Sequence, residues 1–173
     1  MLKDALFNMV IFYTHTQKTE RFATTCAKLL NTTAYQLKSN LENKQGFSFM
    51  FTAIKLAFTR KSYPVDNMPT VFLPNTESNI SEIYVCSPIW GGAISAPIKY
   101  FLENAKLKNI KVNLLLTAAV PTEKYRDAGL KYLQKLPCIP GAVHLFATGK
   151  ILPEEDILIE QLQEILFDDP NLE

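Results

Sequence analysis

VIFYTHTQKTERF, residues 10–22, joins an apolar run to a helical pattern through a loop rich in hydroxyl groups. The run from Phe7 to Tyr13 has the aromatic and β-branched content of a buried strand. Beyond the loop, apolar residues recur at helical spacing at Phe22, Ala23, Cys26, Leu29 and Leu30. The stretch therefore predicts a strand that ends near Tyr13 and a helix that begins near Lys18.

The loop between this strand and helix carries Thr14, Thr16 and Thr19. The first N–H groups of a helix lack intrahelical partners, and the helix dipole favours a negative group beside them. Threonine hydroxyls can add neutral hydrogen bonds, so the loop is a candidate anion site that suits a phosphate. Helix capping by Thr16 or Thr19 is the alternative, and it is the simpler interpretation of the loop alone. The loop has neither glycine nor a Lys-Ser/Thr pair, which argues against nucleoside triphosphate hydrolysis.

Length and composition predict one compact domain over residues 1–173. The chain is 47% hydrophobic, which is enough for a sizeable core. Its formal net charge of +1 argues against nucleic-acid binding. Because we find neither a secretory signal pattern nor an apolar run of membrane-spanning length, we expect a cytoplasmic protein without an integral membrane segment.

The sequence predicts no metal site and no catalytic residue supplied by the protein. Cys26, Cys86 and Cys138 lie far apart, without a Cys-x-x-Cys pair or a histidine cluster. We expect Cys26 and Cys86 in the core, while Cys138 is open between a buried and a surface thiol. No Ser/His/Asp or paired-carboxylate arrangement is visible, and His144 is expected to be structural. This pattern agrees with chemistry carried by a cofactor.

The remaining elements alternate between strands and helices. Predicted strands cover residues 32–37, 83–86, 111–117 and 142–148. Helical patterns follow the last three, beginning near Ser95, Tyr125 and Glu154. This alternation predicts an α/β fold with a parallel sheet and helices on both faces. Ligands of such sheets bind outside the carboxyl ends of the strands, where we expect three loops to meet: residues 14–19, 87–93 and 117–125.

An extra segment at about residues 41–74 interrupts the alternation. One helical face in it is apolar, comprising Phe47, Met50, Phe51, Ile54 and Phe58, and it is widened by Phe49, Leu56 and Ala57. Basic residues surround this face at Lys44, Lys55, Arg60 and Lys61. We expect an amphipathic helix folded against its own domain. The alternatives are a contact with a membrane surface, a cover over a ligand cleft and a subunit contact in a homodimer.

In these residues the chain resembles the flavodoxin family. The sequence Thr14-His15-Thr16-Gln17-Lys18-Thr19 is similar to the family's Thr-x-Thr-Gly-x-Thr phosphate loop. Residues 85–102, VCSPIWGGAISAPIKYFL, resemble its strand, Ser/Cys-Pro-x-Trp turn and proline-started helix. Residues 108–119, KNIKVNLLLTAA, are similar to its fourth strand. The resemblance covers nearly the whole chain in order, apart from the extra segment.

The resemblance implies a doubly wound, five-stranded parallel sheet in the order 2-1-3-4-5 that holds FMN noncovalently. The FMN phosphate would be held by the hydroxyls of Thr14, Thr16 and Thr19 and by the N–H groups of His15, Thr16, Gln17, Lys18 and Thr19. The isoalloxazine ring would be flanked by Trp90 and the backbone of Ser87, Pro88, Ile89, Gly91 and Gly92. The other side would be closed by Ala118, Ala119 and Val120, with help from Tyr125.

Two features of the sequence depart from the family pattern. Gln17 stands where the phosphate loop has glycine, so a positive φ at this position would make the loop strained, and the alternative is a different loop shape. Flavodoxins are commonly acidic around the flavin, whereas residues 99–135 carry eight basic and three acidic residues.

Three functions follow from this resemblance and these departures. The first is an FMN-binding redox protein that transfers electrons to a partner protein or a small-molecule acceptor. The second is an FMN-dependent NAD(P)H:quinone-type oxidoreductase. The third is a flavodoxin-like interaction module that has lost FMN binding.

Overall fold

The computed structural model describes residues 7–44, 46–74, 76, 79–149 and 154–167. The limits of the predicted domain, residues 1 and 173, lie outside the described residues. The strands are β1 (Phe7–Phe12), β2 (Ala34–Gln36), β3 (Ile80–Trp90), β4 (Ala93–Ile94), β5 (Lys111–Ala118) and β6 (Ile139–Ala147). The helices are α1 (Lys18–Leu29), α2 (Gly46–Thr59), α3 (Ala96–Asn104), α4 (Glu123–Leu133) and α5 (Glu155–Phe167). Short 3₁₀ turns lie at Asn40–Asn43 and Thr70–Phe72.

The main sheet has the predicted order. Its strands run β2-β1-β3-β5-β6, and all four neighbouring pairs are parallel. In chain order without the short β4, this is the predicted 2-1-3-4-5 arrangement. The parallel strands end at one edge of the sheet, which brings the residues after β1, β3 and β5 together.

Side chains of the central strands alternate between two buried layers, because successive residues of a strand point to opposite faces. One layer contains Ile11, Val85 and Leu114 with Ile98 and Leu133 from α3 and α4. The opposite layer contains apolar residues of the strands and of α1 and α5: Val10, Phe12, Cys86, Phe22, Cys26, Leu158 and Leu162. The helices therefore cover both faces, as predicted, and Cys26 and Cys86 are core residues.

The third strand is longer than predicted. We expected it to end at Cys86 and the next residues to form a loop, but β3 continues to Trp90 and pairs with β4 in antiparallel fashion. The connection is the two-residue turn Gly91-Gly92, with φ values of 53° and 83°. Positive φ at both central residues is the backbone of a tight hairpin turn, and glycine adopts it without steric cost. The predicted loop at residues 87–93 is thus a β-hairpin, here called the Gly91–Gly92 hairpin.

Helix α2 forms within the extra segment, but its most apolar face points outward. Phe47, Phe51 and Phe58 are 77%, 70% and 86% exposed. Contact with the domain is made instead by the side that carries Phe49 and the buried Ala53. The helix folds against its own domain, as expected, through small and partly buried residues rather than through the large apolar stripe. None of the helices in the described part of the chain is long and apolar enough to cross a membrane.

Candidate functional site

The loop between β1 and α1, residues 14–19, is called here the threonine loop. Gln17 is the N-cap residue of α1 and has φ 61° and ψ −8°. Residues other than glycine seldom adopt positive φ, because the Cβ atom then crowds the backbone. Gln17 therefore adopts the left-handed conformation that suits glycine, so the loop is strained at this position and does not have a different shape.

The N-terminus of α1 has no side-chain cap. Gln17 makes no capping hydrogen bond, so the interpretation of Thr16 or Thr19 as a cap is wrong. Thr16 is exposed, while Thr19 is buried with its Oγ1 2.9 Å from the Oγ1 of Thr117. The first N–H groups of α1 therefore face the threonine loop without an accepting side chain from the described residues.

A chain of buried hydroxyls lies under the site and joins its three segments. Thr117 donates to the backbone oxygen of Ser87 at 3.5 Å, and the Oγ atoms of Ser87 and Ser95 are 3.0 Å apart. Either hydroxyl can be the donor in the hydrogen bond between Thr19 and Thr117. Thr117 begins the predicted third loop but was not expected to contact the cofactor, and Ser95, at the start of α3, lies outside the predicted loops.

Thr14 has the least satisfied hydroxyl of the threonine loop. Its side chain is 5% exposed, and its Oγ1 has no hydrogen-bond partner within the described part of the chain. A buried hydroxyl without a partner costs about 1–3 kcal/mol of stability. Proteins satisfy most such groups, so an exception calls for a specific partner such as a ligand. Thr14 therefore marks this loop as a candidate ligand site.

Four aromatic rings connect the threonine loop to the Gly91–Gly92 hairpin. The ring of Phe49 in α2 stacks on His15 with centroids 3.5 Å apart and an interplanar angle of 5°. Its edge also meets Trp90 at 5.2 Å, and Trp90 makes a second edge contact with Tyr13 at 5.6 Å. Phe49 thus lies between the two predicted halves of the site, and the extra segment forms part of it.

Helix α2 also packs directly on the hairpin. A Cβ atom at Gly91 would lie 2.8 Å from the Cβ of Ala57, which is too close for any residue but glycine. Next to this contact is an open, apolar cleft of about 290 Å³, lined by Phe49, Met50, Ala53, Ile54, Ile89, Trp90 and Gly91. The cleft offers space for an apolar group beside Trp90.

The third predicted segment meets the hairpin at both of its ends, through Thr117, which pairs with Pro88, and through Tyr125. A Cβ atom at Gly92 would lie 3.7 Å from Cε1 of Tyr125, in the first turn of α4. Ala118 ends β5, and its carbonyl accepts from the N–H of Thr148 at 2.8 Å. Ala119 and Val120 are exposed, Val120 to 72%. The predicted residues of all three segments therefore lie at one edge of the sheet, with the hairpin in the middle.

The rings at this site are neutral near pH 7. Burial lowers the pKa of His15 from its ordinary value of 6.5, and the carboxylate of Glu42 opposes that shift. Burial raises the pKa of Tyr13 to about 12. The Nζ of Lys18 donates to the carbonyl of Gly149 at 2.8 Å, which ties the threonine loop to the segment after β6. An anion at the loop would thus be held chiefly by neutral dipoles.

Nucleophiles and metal ligands are not gathered at the site. Burial raises the pKa of Cys26 to about 12. Burial also raises the pKa of Cys86, so neither thiol is activated. Among the described residues, no group of three His, Cys, Asp or Glu side chains could hold a metal ion.

Solved structures with the same fold include flavoproteins and flavodoxins. A Bacteroides uniformis protein, provisionally described as a flavoprotein, is similar to this chain with a TM-score of 0.68 and 12% identity, covering 92% of this chain and 99% of that one. A flavoprotein from Lactobacillus acidophilus in complex with FMN has a TM-score of 0.60 and 16% identity, with coverage of 92% and 99%. Megasphaera elsdenii flavodoxin has a TM-score of 0.50 and 13% identity, with coverage of 90% and 97%. No protein-family model and no curated protein matches the sequence. The chain has the flavodoxin-like fold.

Proposed function

We propose that this chain binds FMN noncovalently and serves as a flavodoxin-like redox protein. The observation that carries the proposal is the buried, unpaired hydroxyl of Thr14 beside the uncapped N-terminus of α1. A phosphate ester at this position would accept hydrogen bonds from both. FMN supplies the electron-transfer chemistry when bound, and the protein supplies position and electrostatics.

The phosphate end of the ligand would lie in the threonine loop. Thr14 and Thr16 would donate their hydroxyl protons, while the hydroxyl of Thr19 would contribute beside its hydrogen bond with Thr117. Backbone N–H groups from His15 to Thr19 would supply the remaining donors at the positive end of the α1 dipole. The positive φ of Gln17 supports this arrangement, since it turns the chain at the mouth of the helix.

The ring end would lie against the Gly91–Gly92 hairpin. Trp90 offers an indole for stacking, and the two glycines let the backbone approach a ring edge. Tyr125 and the residues Ala118, Ala119 and Val120 would close the other side. Phe49, which contacts both His15 and Trp90, would shield the ring from water and must adjust its position to admit it. Electrons would pass to a partner protein or a small-molecule acceptor.

Binding of FMN and riboflavin, compared by equilibrium dialysis, tests the phosphate end. Thr14→Val keeps the shape of the side chain and removes the hydroxyl. We expect it to weaken FMN roughly 10-fold to 100-fold, because a hydrogen bond to a charged group contributes about 1.5–3 kcal/mol. Riboflavin, which lacks the phosphate, should bind Thr14→Val and wild type equally.

Thr24→Val is the matched control. Thr24 lies in α1, and its hydroxyl donates to the carbonyl of Glu20 at 2.9 Å, away from the threonine loop. Its FMN affinity should equal that of wild type. Equal losses for FMN and riboflavin in Thr14→Val would place the ligand's phosphate elsewhere.

The apolar cleft between α2 and the hairpin favours a second candidate, an FMN-dependent NAD(P)H:quinone-type oxidoreductase. A flat apolar acceptor would find about 290 Å³ of space next to Trp90. The FMN-loaded protein should then oxidise NADPH or NADH when a quinone is added. A pure carrier would need a separate reductase for the same oxidation.

The position of Phe49 favours a third candidate, an interaction module without a cofactor. Phe49 already bridges His15 and Trp90 with its own ring. A folded sample that binds neither FMN nor riboflavin would select this candidate. Phe49→Ala then separates the two explanations, because recovery of FMN binding would assign the failure to this side chain.

A further inference from the structure

A second cleft lies beside the sheet, between α3 and α4, and it is here called the basic cleft. It encloses about 330 Å³ and is closed at one end by the Gly91–Gly92 hairpin. The residues that matter for its chemistry are four basic and two aromatic: Arg60, Lys99, Lys131, Lys135, Tyr125 and Tyr132. No carboxylate lines it in the described part of the chain. The basic cleft is separate from the threonine loop and shares with the proposed FMN site only its hairpin wall and Tyr125.

Lys99 is the most unusual of these residues. It lies in the first turn of α3 and is 6% exposed. Within the described residues, its ammonium group makes no hydrogen bond and no salt bridge. Long lysine side chains normally carry their charge to water, and a buried charge is ordinarily paired. The side chain of Lys99 is therefore largely covered by protein, while its ammonium nitrogen, which is not among the buried unpaired atoms, remains open to the solvent of the cleft.

Charges of both signs surround this cation. Burial lowers the pKa of Lys99, Glu103 on the same helix opposes the shift, and Arg60 adds to it. The carboxylate of Glu103 accepts a hydrogen bond from the hydroxyl of Tyr132 at 2.9 Å and acts on Lys99 through its charge rather than through a direct contact. Two more ammonium groups, those of Lys131 and Lys135, line the same cleft. Like charges in one cleft repel each other, and an anion between them would remove that repulsion.

The rest of the wall suits an apolar body. Ile89 and Ile94 come from the hairpin strands, and Tyr125 and Tyr132 present aromatic rings from α4. Pockets for small organic ligands combine such apolar walls with a few polar groups that fix orientation. Here the polar groups are cations.

We propose that the basic cleft binds a small aromatic oxyanion, such as an aromatic phosphate ester or carboxylate, whose charged group meets Lys99 and whose ring lies against the two tyrosines. This inference does not depend on FMN binding at the threonine loop. It assigns to the chain a second ligand site on the other side of the Gly91–Gly92 hairpin.

Calorimetric titration of the flavin-free, full-length protein with phenyl phosphate at low salt tests the proposal. We expect saturable binding by wild type and at least tenfold weaker binding by Lys99→Met, which keeps the length and apolar stem of the side chain. Lys108→Met is the matched control, since Lys108 is exposed and lies outside the basic cleft. Its affinity should equal that of wild type. Inorganic phosphate and benzyl alcohol should each bind more weakly than phenyl phosphate, because each lacks one half of the ligand.

Thr14→Val separates this site from the threonine loop, which could also attract a phosphate. If the proposal is right, Thr14→Val binds phenyl phosphate as wild type does. Loss of binding in Thr14→Val with full retention in Lys99→Met would overturn it and assign the anion to the threonine loop. Absence of binding by folded wild type would overturn it as well.

The stability of Lys99→Met provides an independent readout. Phenyl phosphate should raise the melting temperature of wild type and leave that of Lys99→Met unchanged, because only a bound ligand stabilises the folded state. Should Lys99→Met fail to fold, Lys131→Met takes its place in the titration, with the same expected weakening. Unchanged affinity in that variant would count against the proposal.

Discussion

The threonine loop and the basic cleft are both suited to anions, but they are built in opposite ways. The threonine loop offers backbone N–H groups and hydroxyls around one uncapped helix end. The basic cleft offers four cationic side chains. A site made of dipoles is selective for shape, because each donor must be aimed at an oxygen. A site made of charges is more tolerant of ligand shape and more sensitive to salt. The two candidate sites thus represent two physically different ways to hold a negative group.

The largest expected effect falls on the hairpin that separates the two regions. Gly91→Ala should destabilise the protein by roughly 2–4 kcal/mol, because the positive φ costs about 1–2 kcal/mol and the clash with Ala57 adds to it. Chemical denaturation measures the change. Gly46→Ala is the matched control, since its φ of 54° equals that of Gly91 within a degree and no atom lies within 4 Å of the added Cβ.

Gly46→Ala should therefore lose only the conformational part. Ala57→Gly, added to Gly91→Ala, should restore part of the lost stability by making room for the new methyl group. If both glycine variants are destabilised equally, α2 does not rest on the hairpin as described, and the wall between the two regions is looser than the structure indicates.

The second largest expected effect is a difference between the two regions in how ligand affinity depends on ionic strength. Raising ionic strength from about 0.05 M to about 0.5 M shortens the screening length several-fold, so phenyl phosphate should bind the basic cleft several-fold more weakly. FMN, held chiefly by neutral donors, should change less, and uncharged riboflavin should not weaken. Parallel titrations of the three ligands measure this. A steeper salt dependence for FMN than for phenyl phosphate would reverse our assignment of the two mechanisms.

Lowering the pH should reduce the free energy of unfolding through His15 in the threonine loop. Its pKa is lower in the folded protein than its ordinary 6.5, so the unfolded chain binds more protons when the pH lies between the two values. The contribution of His15 to stability is therefore complete above pH 6.5 and is lost as the pH falls through the folded pKa. Unfolding free energies of wild type and His15→Gln, measured from neutral to acidic pH, should diverge in that window. A difference that stays constant with pH would show that His15 titrates normally.

The smallest expected effect concerns the strained turn of the threonine loop. Gln17→Gly should stabilise the protein by no more than about 1 kcal/mol, since relief of the positive φ is partly offset by the greater freedom of glycine in the unfolded chain. Asn31→Gly is the control at the other end of α1, with φ 49°. Asparagine tolerates this conformation, so that change should gain less. A larger gain at Asn31 than at Gln17 would contradict the strain.

Local patterns in the sequence were sufficient to predict the alternating strands and helices, whereas the strand order was implied by the resemblance to flavodoxins. The apolar run before Thr14 and the helical spacing after Lys18 predict β1 and α1 correctly, and proline after Ser95 predicts the start of α3. The Gly91–Gly92 hairpin was missed even though a Gly-Gly pair after a strand is a known turn signal. The similarity of residues 87–90 to the Ser/Cys-Pro-x-Trp turn of flavodoxins predicted a loop at this position.

Other parts of the site depend on contacts between distant residues and are not encoded locally. Helix α2 is apolar around most of its circumference, so periodicity does not indicate that Ala53 and Ala57 face the domain while Phe58 faces water. The bond between Thr19 and Thr117 joins residues 98 positions apart. Lys99 would be expected to be mostly exposed on any helix, and only the packing of α3, α4 and the hairpin covers its side chain.

The position of Trp90 also gives the molecule an optical property. It is the only tryptophan in the chain, and its indole touches Phe49 of α2 and Tyr13 at the end of β1. With excitation selective for tryptophan, all intrinsic emission therefore originates at the junction of α2, the hairpin and the threonine loop. A shift of the emission maximum to longer wavelength would report water reaching this junction. The protein thus carries a built-in, label-free probe of how α2 covers its candidate site.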